Sequence, residues 1–558
     1  MRNTYTIRNM FLMLAVGVML GLAAEAETGQ ATVAQAPARP NIVVIMADDL
    51  DKEMLDTLLA LGFLPNIEQL VVRRGFRFNH AFVTNSLCCP SRATYLSGQY
   101  SHNHGVHKNS PPDGGVGDFD DGTKGGQTLA TVLQRAGYRT AHVGKYLNMY
   151  GSDRSAPATS PENRTYVPPG WNRWEALVDY STYNVYNYTI SAYNDRTDPA
   201  PVGTPVPYGH SPEEYQTTVL AERAAAVIAE AQAYFPNQPL FLSVTPLAPH
   251  VELFTIQLTF LDGQEYADQW RWFIRPNPLD REAKPRRWSY IFNEMPLLPG
   301  LKPSFNEADV TDKPTFLQRP EMTQTDPSGK PSDIEAVTFQ YRTRMAAMLA
   351  VDDLVGRVAA ALGPDLARTV ILFTSDNGFL HGEHRMAEKL VAYEESIRVP
   401  LYLAAPGVQG PVDVNAMVAN TDLAPTLVAL AGTALAHADG RSLLPLLGGT
   451  PPAAWRQRLL VEHWRDEEGG ELDLPDFTAV RTGPADTYSE RLYVEYSSGG
   501  AMIATELYDL TEPGGRFQLD SRHADPARAA EITYLKQRLE ALKSCGRQAA
   551  LSCQAAEQ

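Results

Sequence analysis

The chain has 558 residues, of which 44% are hydrophobic and 20% are charged, and its formal net charge at pH 7 is −17. This length exceeds what one small core can organise, and it predicts a large α/β domain with a smaller second domain. The acidic balance argues against nucleic acid as a partner. Because the overall field repels anions, an anionic substrate would need local cations and a metal ion to bind.

The first residues predict export. Two arginines precede an apolar run over residues 10–24, and Ala24-Glu25-Ala26 offers a cleavage site between small residues, a pattern typical of a secretory signal peptide. We therefore predict a signal peptide at 1–26 and a polar linker at 27–39, and a secreted or periplasmic protein as the product. The apolar run is short for a membrane span, so no stable membrane insertion is expected, and a retained anchor is the alternative.

The first predicted strand ends in two carboxylates. The run Asn41-Ile-Val-Val-Ile-Met46 has the β-branched character of a parallel strand buried on both faces, and Asp48 and Asp49 follow it. Adjacent carboxylates repel each other unless a cation or hydrogen-bond donors hold them, and open α/β sheets bind ligands where their parallel strands end. Both residues are therefore candidate ligands for calcium or magnesium. A solvated turn with a helix cap is the alternative.

The next segment brings a thiol, a rigid turn, a hydroxyl and a guanidinium together. It reads Ser86-Leu-Cys-Cys-Pro-Ser-Arg-Ala-Thr-Tyr-Leu-Ser-Gly98. Pro90 disfavours helix before it, so we expect the two cysteines to end an extended segment and a helix to begin at Ser91. A side chain at such a junction lies beside unpaired helix N–H groups that favour an anion, and Arg92 suits a tetrahedral oxyanion. A buried thiol pair or a vicinal disulfide is the alternative.

Further predicted strands also end in groups that carry chemistry. Runs at 139–143, 239–245 and 369–374 lead to Lys145, to His250 and to Asp376-Asn377, respectively. The last pair forms a second oxygen-rich cluster, and an Asn rather than a His at position 377 fits a hard cation better than zinc. For a single lysine or histidine after a strand, an exposed or structural side chain is the alternative.

Residues 251–335 show no sustained hydrophobic period, and we interpret them as an irregular insertion at the rim of a pocket. Its aromatic and basic side chains could stack on sugar rings and pair with sulfate groups. These residues are Trp270, Trp272, Arg275, Arg286, Arg287 and Trp288. Plain surface packing is an equal alternative. Elsewhere, we expect His102 and His104 to be solvated loop residues, and a role as ligands is the alternative.

From about residue 454 the pattern changes to short strands separated by turns, followed by a helix over residues 527–542. We therefore predict a catalytic α/β domain at 40–453 and a C-terminal α+β subdomain at 454–558. Cys545 and Cys553 could close a small disulfide loop in an oxidising compartment.

The string Cys88-x-Pro-Ser-Arg92, followed by Ala93-x-x-Leu96-Ser97-Gly98, resembles the signature of the type I sulfatases position for position. The resemblance implies an alkaline-phosphatase-like α/β sandwich. In that fold, helices flank a large, mixed, mostly parallel sheet, and a smaller antiparallel sheet with a packed helix lies towards the C-terminus. The resemblance also implies that a formylglycine-generating enzyme converts Cys88 to formylglycine, an aldehyde whose hydrate is the nucleophile.

The same resemblance implies roles for the strand-end residues. The residues that match a calcium site, together with position 88, are Asp48, Asp49, Asp376 and Asn377. The residues that match sulfate-binding cations are Arg92, Lys145 and Lys389, and His250 matches a histidine close to the scissile ester oxygen. Leu147 departs from the family pattern, because many members have a histidine there that helps to handle the hydroxyl of the nucleophile.

Additional motifs favour one branch of the family. Gly144-Lys-Tyr-Leu-Asn148, Pro168-Pro-Gly-Trp171 and Tyr186-Asn-Tyr-Thr189 are similar to motifs of N-acetylglucosamine-6-sulfatases and extracellular heparan endosulfatases. The predicted function is therefore an exported sulfatase that hydrolyses sulfate esters of sulfated sugars, with formylglycine and one calcium ion. A phosphonate monoester or phosphodiester hydrolase of the same superfamily, and a non-catalytic glycan-binding relative, are the alternatives.

Overall fold

A mixed sheet of ten strands runs through the part of the chain that the computed structural model describes. The described residues are 39–119, 127–152, 165–252, 258–259, 265–266, 273–296, 299–325, 332–449, 451–465, 473–546 and 549–558. The predicted signal peptide and the linker up to residue 38 lie outside them.

The strands alternate with helices along most of the chain. The strands are β1 (Asn41–Ala47), β2 (Gly75–Phe82), β3 (Arg139–Gly144), β4 (Arg173–Leu177), β5 (Thr189–Asn194), β6 (Thr204–Pro207), β7 (Leu240–Thr245), β8 (Leu258–Thr259), β9 (Glu265–Tyr266), β10 (Thr369–Ser375), β11 (Leu401–Ala404), β12 (Val412–Ala419), β13 (Arg458–His463), β14 (Asp476–Thr482), β15 (Arg491–Ser498) and β16 (Ala501–Asp509). The main sheet has the order β12-β2-β11-β10-β1-β7-β3-β4-β5-β6.

Parallel pairing dominates the centre of this sheet and antiparallel pairing its flanks. The run β10-β1-β7-β3-β4 is parallel throughout, whereas β11 and β5 are antiparallel to their neighbours. β1 is central and completely buried, with Val43 and Ile45 on one face and Ile42 and Val44 on the other. A strand covered on both faces needs apolar residues at every position, which explains its unbroken β-branched run.

Helices cover both faces of the sheet. The α-helices are α1 (Lys52–Ala60), α2 (Pro65–Leu70), α3 (Cys88–Ser97), α4 (Ser101–His104), α5 (Gly115–Phe119), α6 (Leu129–Arg135), α7 (Gln216–Tyr234), α8 (Pro278–Ala283), α9 (Pro285–Ser289), α10 (Asp333–Leu362), α11 (Glu394–Ile397), α12 (Leu423–Leu430), α13 (Ala529–Lys543) and α14 (Cys553–Ala556). Among the described residues, no single helix is long and apolar enough to cross a membrane. The bent pair Lys52–Ala60 and Pro65–Arg74 meets the length and composition requirements only when its two segments are taken together.

The long helix α10 packs beside α7 on one face of the sheet. Ser332 begins it with a capping box, because its side chain accepts from the Glu335 N–H while the Glu335 carboxylate accepts from the Ser332 N–H. Gly363 ends it with a φ of 52°, a conformation that glycine adopts without steric cost.

The second sheet is small and antiparallel, with the order β13-β14-β15-β16. α13 packs Leu535, Leu539 and Leu542 against this sheet. Cys545 and Cys553 form a disulfide, as the sequence allowed. The predicted fold class, a large mixed sheet flanked by helices plus a small antiparallel sheet with a packed helix, is confirmed. The boundary between residues 453 and 454 remains a prediction.

We expect Arg456→Met to lower the free energy of unfolding by about 3–5 kcal/mol, because it would leave the buried Asp422 carboxylate without a cation, whereas Glu557 would keep its pair with Arg441. The Arg456 side chain is fully buried, and its guanidinium pairs with Asp422 and, at 3.0 Å, with Glu557. Chemical denaturation measures the change. Arg465→Met is the control, because the Arg465–Asp473 pair is exposed and such pairs contribute less than about 1 kcal/mol. Equal losses for the two variants would contradict the prediction.

Candidate active site

The carboxyl ends of four neighbouring parallel strands meet at one edge of the main sheet, in the order β10, β1, β7 and β3. Residues that follow parallel strands emerge on the same side of a sheet. The residues that emerge here are Asp376 and Asn377 after β10, Asp48 and Asp49 after β1, His250 after β7, and Lys145 after β3. The sequence-predicted candidates are therefore gathered by the topology of the sheet.

Cys88 lies in the first turn of α3, a helix buried along its whole length. The helix begins at Cys88 rather than at Ser91, so the later start that we predicted was wrong. Pro90 is tolerated as the third helical residue, because an N–H in the first turn has no intrahelical partner. The Cys88 side chain is 1% exposed, and its Sγ lies 3.0 Å from Lys389 Nζ and 3.7 Å from Asp48 Oδ1.

Burial makes the unmodified thiol a poor nucleophile. It raises the pKa of Cys88 to about 12, although Lys145 and Lys389 oppose the rise. Burial also raises the pKa of Cys89 to about 12, and that side chain packs in an apolar cluster. Both cysteines are free thiols, which contradicts a vicinal disulfide. Since the thiolate is the reactive form of cysteine, the environment of Cys88 disfavours thiol chemistry at neutral pH.

A buried cation faces each carboxylate of the cluster. The ion pairs are Lys145–Asp48 at 2.6 Å, Arg92–Asp48 at 3.3 Å, Arg92–Asp376 at 2.8 Å and Lys389–Asp49. His250 Nε2 also lies 3.5 Å from Asp49 Oδ2. Charged groups that are removed from water need such partners, and the cluster therefore balances its buried charges without solvent.

The charge pairs decide the protonation states. Burial opposes ionisation of Asp49, but Lys389 and His250 lower the pKa of this carboxyl to about 2. Burial opposes the charge of Lys389 as well, but Asp49 raises the pKa of this lysine above its ordinary value. The pKa of His250 is lowered by burial, against the opposing effect of the aspartates. At neutral pH Asp49 and Lys389 are therefore charged, and the lowered pKa favours the neutral form of His250.

The oxygen atoms of the cluster fit a divalent cation. Ligand atoms of Asp48, Asp49, Cys88 and His250 all lie within 4.8 Å of one another. Asn377 Oδ1 is buried and has no hydrogen-bond partner among the described residues, while its Nδ2 donates to Asp49 Oδ1 at 2.7 Å. An unpartnered oxygen beside carboxylates is a suitable ligand for a hard cation such as calcium. The donor set thus fits the ion that the resemblance implies.

Every sequence-predicted site residue contacts at least one other member of the set. The set is Asp48, Asp49, Cys88, Arg92, Lys145, His250, Asp376, Asn377 and Lys389. Their proximity is a property of the structure, and their chemical roles remain predictions.

The departure at position 147 removes a polar group from this edge. Leu147 is 2% exposed and packs in the same apolar cluster as Cys89. Asn148 is the polar residue at this point, and its Nδ2 donates to the Tyr183 hydroxyl at 2.6 Å. Leu147 therefore contributes apolar packing, and Asn148 contributes a hydrogen bond to Tyr183.

Three of the four rim residues that the structure describes are engaged in packing rather than presented to a pocket, and the fourth, Arg286, is exposed. Arg275 forms an ion pair with Glu252 at 2.6 Å, Arg287 donates to the Phe63 carbonyl, and Trp288 is 7% exposed. These contacts favour the packing alternative. Trp270 and Trp272 lie outside the described residues.

The prediction that His102 and His104 are solvated was wrong. His104 is completely buried and lies 3.0 Å from the Thr94 hydroxyl of α3. His102 Nδ1 lies 2.7 Å from Glu462 Oε2. Both histidines therefore connect the segment after α3 to its surroundings, which loop composition alone did not reveal.

Two buried residues at this edge were missed by the sequence analysis. The Tyr183 ring lies 4.8 Å from Lys145 Nζ and 5.3 Å from the His250 ring. The Arg344 guanidinium, from α10, donates to the carbonyls of Asp49 and Pro249. Tyr183 lies between strands without a recognisable motif. The sequence offered one signal for Arg344. This arginine immediately precedes the apolar stretch 345–351 of a predicted helix, which indicates that it is buried and needs polar partners.

Comparison with known proteins assigns the family. Residues 40–433 match the family model described as Sulfatase, and residues 382–544 match the model described as N-sulphoglucosamine sulphohydrolase, C-terminal. The chain belongs to the sulfatase family. The resemblance found in the sequence is thereby confirmed, and the second match shows that the likeness to sulfatases extends into the small antiparallel sheet.

Two relatives of this sulfatase come from animals. The extracellular sulfatase Sulf-1 homologue of Caenorhabditis elegans is 31% identical over 439 residues, which cover 76% of this chain and 52% of the relative. The N-acetylglucosamine-6-sulfatase of Capra hircus is 28% identical over 547 residues, which cover 93% of this chain and 86% of the relative. The chain thus spans about half the length of the nematode relative. Both names agree with the branch that the motifs indicated.

A solved structure shares the fold of this sulfatase. It is described as a complex with its substrate, D-glucosamine-2-N,6-O-disulfate, and it is 22% identical with a TM-score of 0.62. The match covers 90% of this chain and 97% of that chain. The predicted alkaline-phosphatase-like sandwich is confirmed by this likeness.

Proposed function

We propose that this chain is an exported sulfuric ester hydrolase that removes sulfate from sulfated sugars, with formylglycine at position 88 and one calcium ion. The observation that carries the proposal is the buried cluster in which Cys88 touches both an aspartate and a lysine. The family match supports sulfate-ester hydrolysis. The names of the goat relative and of the bound sugar disulfate support the sugar class.

The cluster offers separate places for an ion and for an anionic group. Asp48, Asp49, Asp376 and Asn377 would hold calcium through their oxygen atoms. When present, calcium would supply positive charge and the hydrated aldehyde an oxygen nucleophile. The sulfuryl oxygens would lie among Arg92, Lys145 and Lys389, whose charges are fixed by the ion pairs described above and neutralise the charge that develops there.

His250 is suited to move the proton. Its Nδ1 faces the Val251 carbonyl, so Nδ1–H donates there and Nε2 faces the cluster, 3.5 Å from Asp49 Oδ2. Burial lowers the pKa of His250, so in this tautomer Nε2 carries no proton at neutral pH and can accept one. Either His250, once Nε2 has taken up a proton, or Lys389, which is protonated because its pKa is raised, would then donate a proton to the leaving oxygen.

The proposal includes two requirements outside the folded domain. A formylglycine-generating enzyme must oxidise Cys88 during maturation, because the buried thiol has the pKa of an unreactive group. The segment 1–26 must direct export, and the nematode relative, named an extracellular sulfatase, supports such a location. Secretion followed by N-terminal sequencing of the mature protein tests the second requirement.

A panel of defined esters tests the proposed activity. The protein is produced in a host that makes formylglycine, and sulfate release is measured on N-acetylglucosamine-6-sulfate, with N-acetylgalactosamine-4-sulfate as the matched sugar. We expect the glucosamine ester to be hydrolysed with the larger kcat/KM. An aryl phosphonate monoester and an aryl phosphodiester are assayed as alternative substrates. If kcat/KM is higher on these two than on every sulfate ester, the proposal is overturned in favour of a phosphorus-ester hydrolase.

A further inference from the structure

One buried side chain, which comes from a helix outside the strand-end loops, contacts three of these loops. Arg344 is completely buried in α10. One guanidinium nitrogen donates to the Asp49 carbonyl and another donates to the Pro249 carbonyl at 3.1 Å. The guanidinium also stands over the Phe379 ring, 4.2 Å from its centroid. A single side chain therefore touches the loops that carry Asp49, His250 and Asn377.

The backbone of Asp49 explains why such a contact is needed. Asp49 has a φ of 62°, in the left-handed region that residues other than glycine occupy at a cost in energy. Strained residues of this kind persist where the surrounding structure holds them. The Asp49 N–H donates to Asp376 Oδ1 at 3.0 Å, and Arg344 holds the carbonyl on the other side of the same residue.

We infer that Arg344 is a positioning residue, which clamps the loops after β1 and β7 so that Asp49 and His250 reach the metal and the leaving oxygen. The planar guanidinium suits this task, because it donates two hydrogen bonds in a fixed geometry. The inference rests on the proposed function for what the clamped residues do. The clamp itself is a property of the backbone contacts.

Arg342 provides a matched control on the same helix. It donates to the carbonyls of Phe292 and Met295 at 2.9 and 2.7 Å, so it also holds backbone oxygens, but away from the cluster. Arg344→Met and Arg342→Met therefore remove the same kind of contact at two places. Arg344→Lys keeps the charge and loses the fork geometry, and it serves if the methionine variant does not fold.

Calcium titration and hydrogen exchange test the inference. We expect Arg344→Met to raise the calcium dissociation constant, measured by calorimetry on chelator-treated protein, by about 10- to 100-fold, as loss of outer partners of metal ligands does. Arg344→Lys should give a smaller increase, and Arg342→Met should leave the constant unchanged. In calcium-free protein, the amides of Asp49 and His250 should exchange faster in Arg344→Met than in Arg342→Met.

The two readouts separate the inference from the proposed function. A wild-type protein that binds no calcium would overturn the proposed metal site, and hydrogen exchange in the calcium-free protein would still decide whether Arg344 clamps the loops. Equal exchange rates at Asp49 and His250 in the two methionine variants would overturn the inference. If Arg344→Met does not fold, equal exchange rates in Arg344→Lys and the wild-type protein would overturn it.

Discussion

Replacing Cys88 with serine is expected to lower kcat on a sulfate ester by about 10³-fold or more, because it removes the nucleophile. Serine is close in size to cysteine, so the buried first turn of α3 can accept it. A serine hydroxyl could accept a sulfuryl group, but it has no second hydroxyl on the same carbon to expel sulfate afterwards. Cys88→Ala should be equally inactive. Steady-state kinetics on the best ester of the panel measure both losses.

The neighbouring cysteine supplies the control. Cys89→Ala removes a thiol of the same helix turn that packs in the apolar cluster, and we expect it to change stability more than kcat. Mass spectrometry of the Cys88 peptide should show the aldehyde in the wild-type protein. An intact thiol in a fully active preparation, or full activity of Cys88→Ser, would contradict the formylglycine assignment; an unmodified and inactive protein would instead support a glycan-binding relative.

Removal of calcium is expected to lower kcat by about 100-fold or more and to lower the thermal unfolding temperature. The proposed ion would contribute charge stabilisation at the sulfuryl oxygens, and an ion that binds only the folded state stabilises that state. Turnover is measured after treatment with a chelator and again after calcium is added back. Added calcium should restore both activity and unfolding temperature, and full activity in the presence of excess chelator would contradict a catalytic metal.

Variants of two aspartates in one loop test the position of the proposed ion. Asp49→Asn should weaken calcium binding, because it removes the charge of a proposed ligand at the centre of the cluster, and asparagine tolerates the positive φ of this position. Asp51→Asn is the control. Asp51 caps α1 by accepting from the Met54 N–H and contacts His381, so an amide oxygen can keep the cap. Equal calcium affinities of the two variants would place the ion elsewhere.

Much of this site could be predicted from sequence because its residues follow buried strands. A β-branched run followed by two aspartates predicts both a central parallel strand and a group at its end, and the same reasoning applied to Lys145, His250 and Asp376. Parallel strands bring such ends to one edge whatever the distance between them along the chain. The Cys-x-Pro-Ser-Arg string added the expected nucleophile.

Features that depend on neighbours could not be read in this way. The start of α3 at Cys88 was missed because a proline rule considers only the adjacent residues, whereas the helix is fixed by burial on all sides. The histidines at 102 and 104 looked like loop residues, but His102 contacts Glu462 and the Cys545 carbonyl far along the chain, and His104 contacts Thr94 of α3.

The sequence by itself determined which polar residues follow each buried strand, and it contained the family signature. Both are local patterns of residue type. Only the tertiary structure shows that the Cys88 thiol is buried, that each aspartate of the cluster pairs with a cation, and that Arg344 donates to the carbonyls of two loops. The physical reason is that burial and charge pairing depend on neighbours from distant parts of the chain, which a short segment of sequence does not contain.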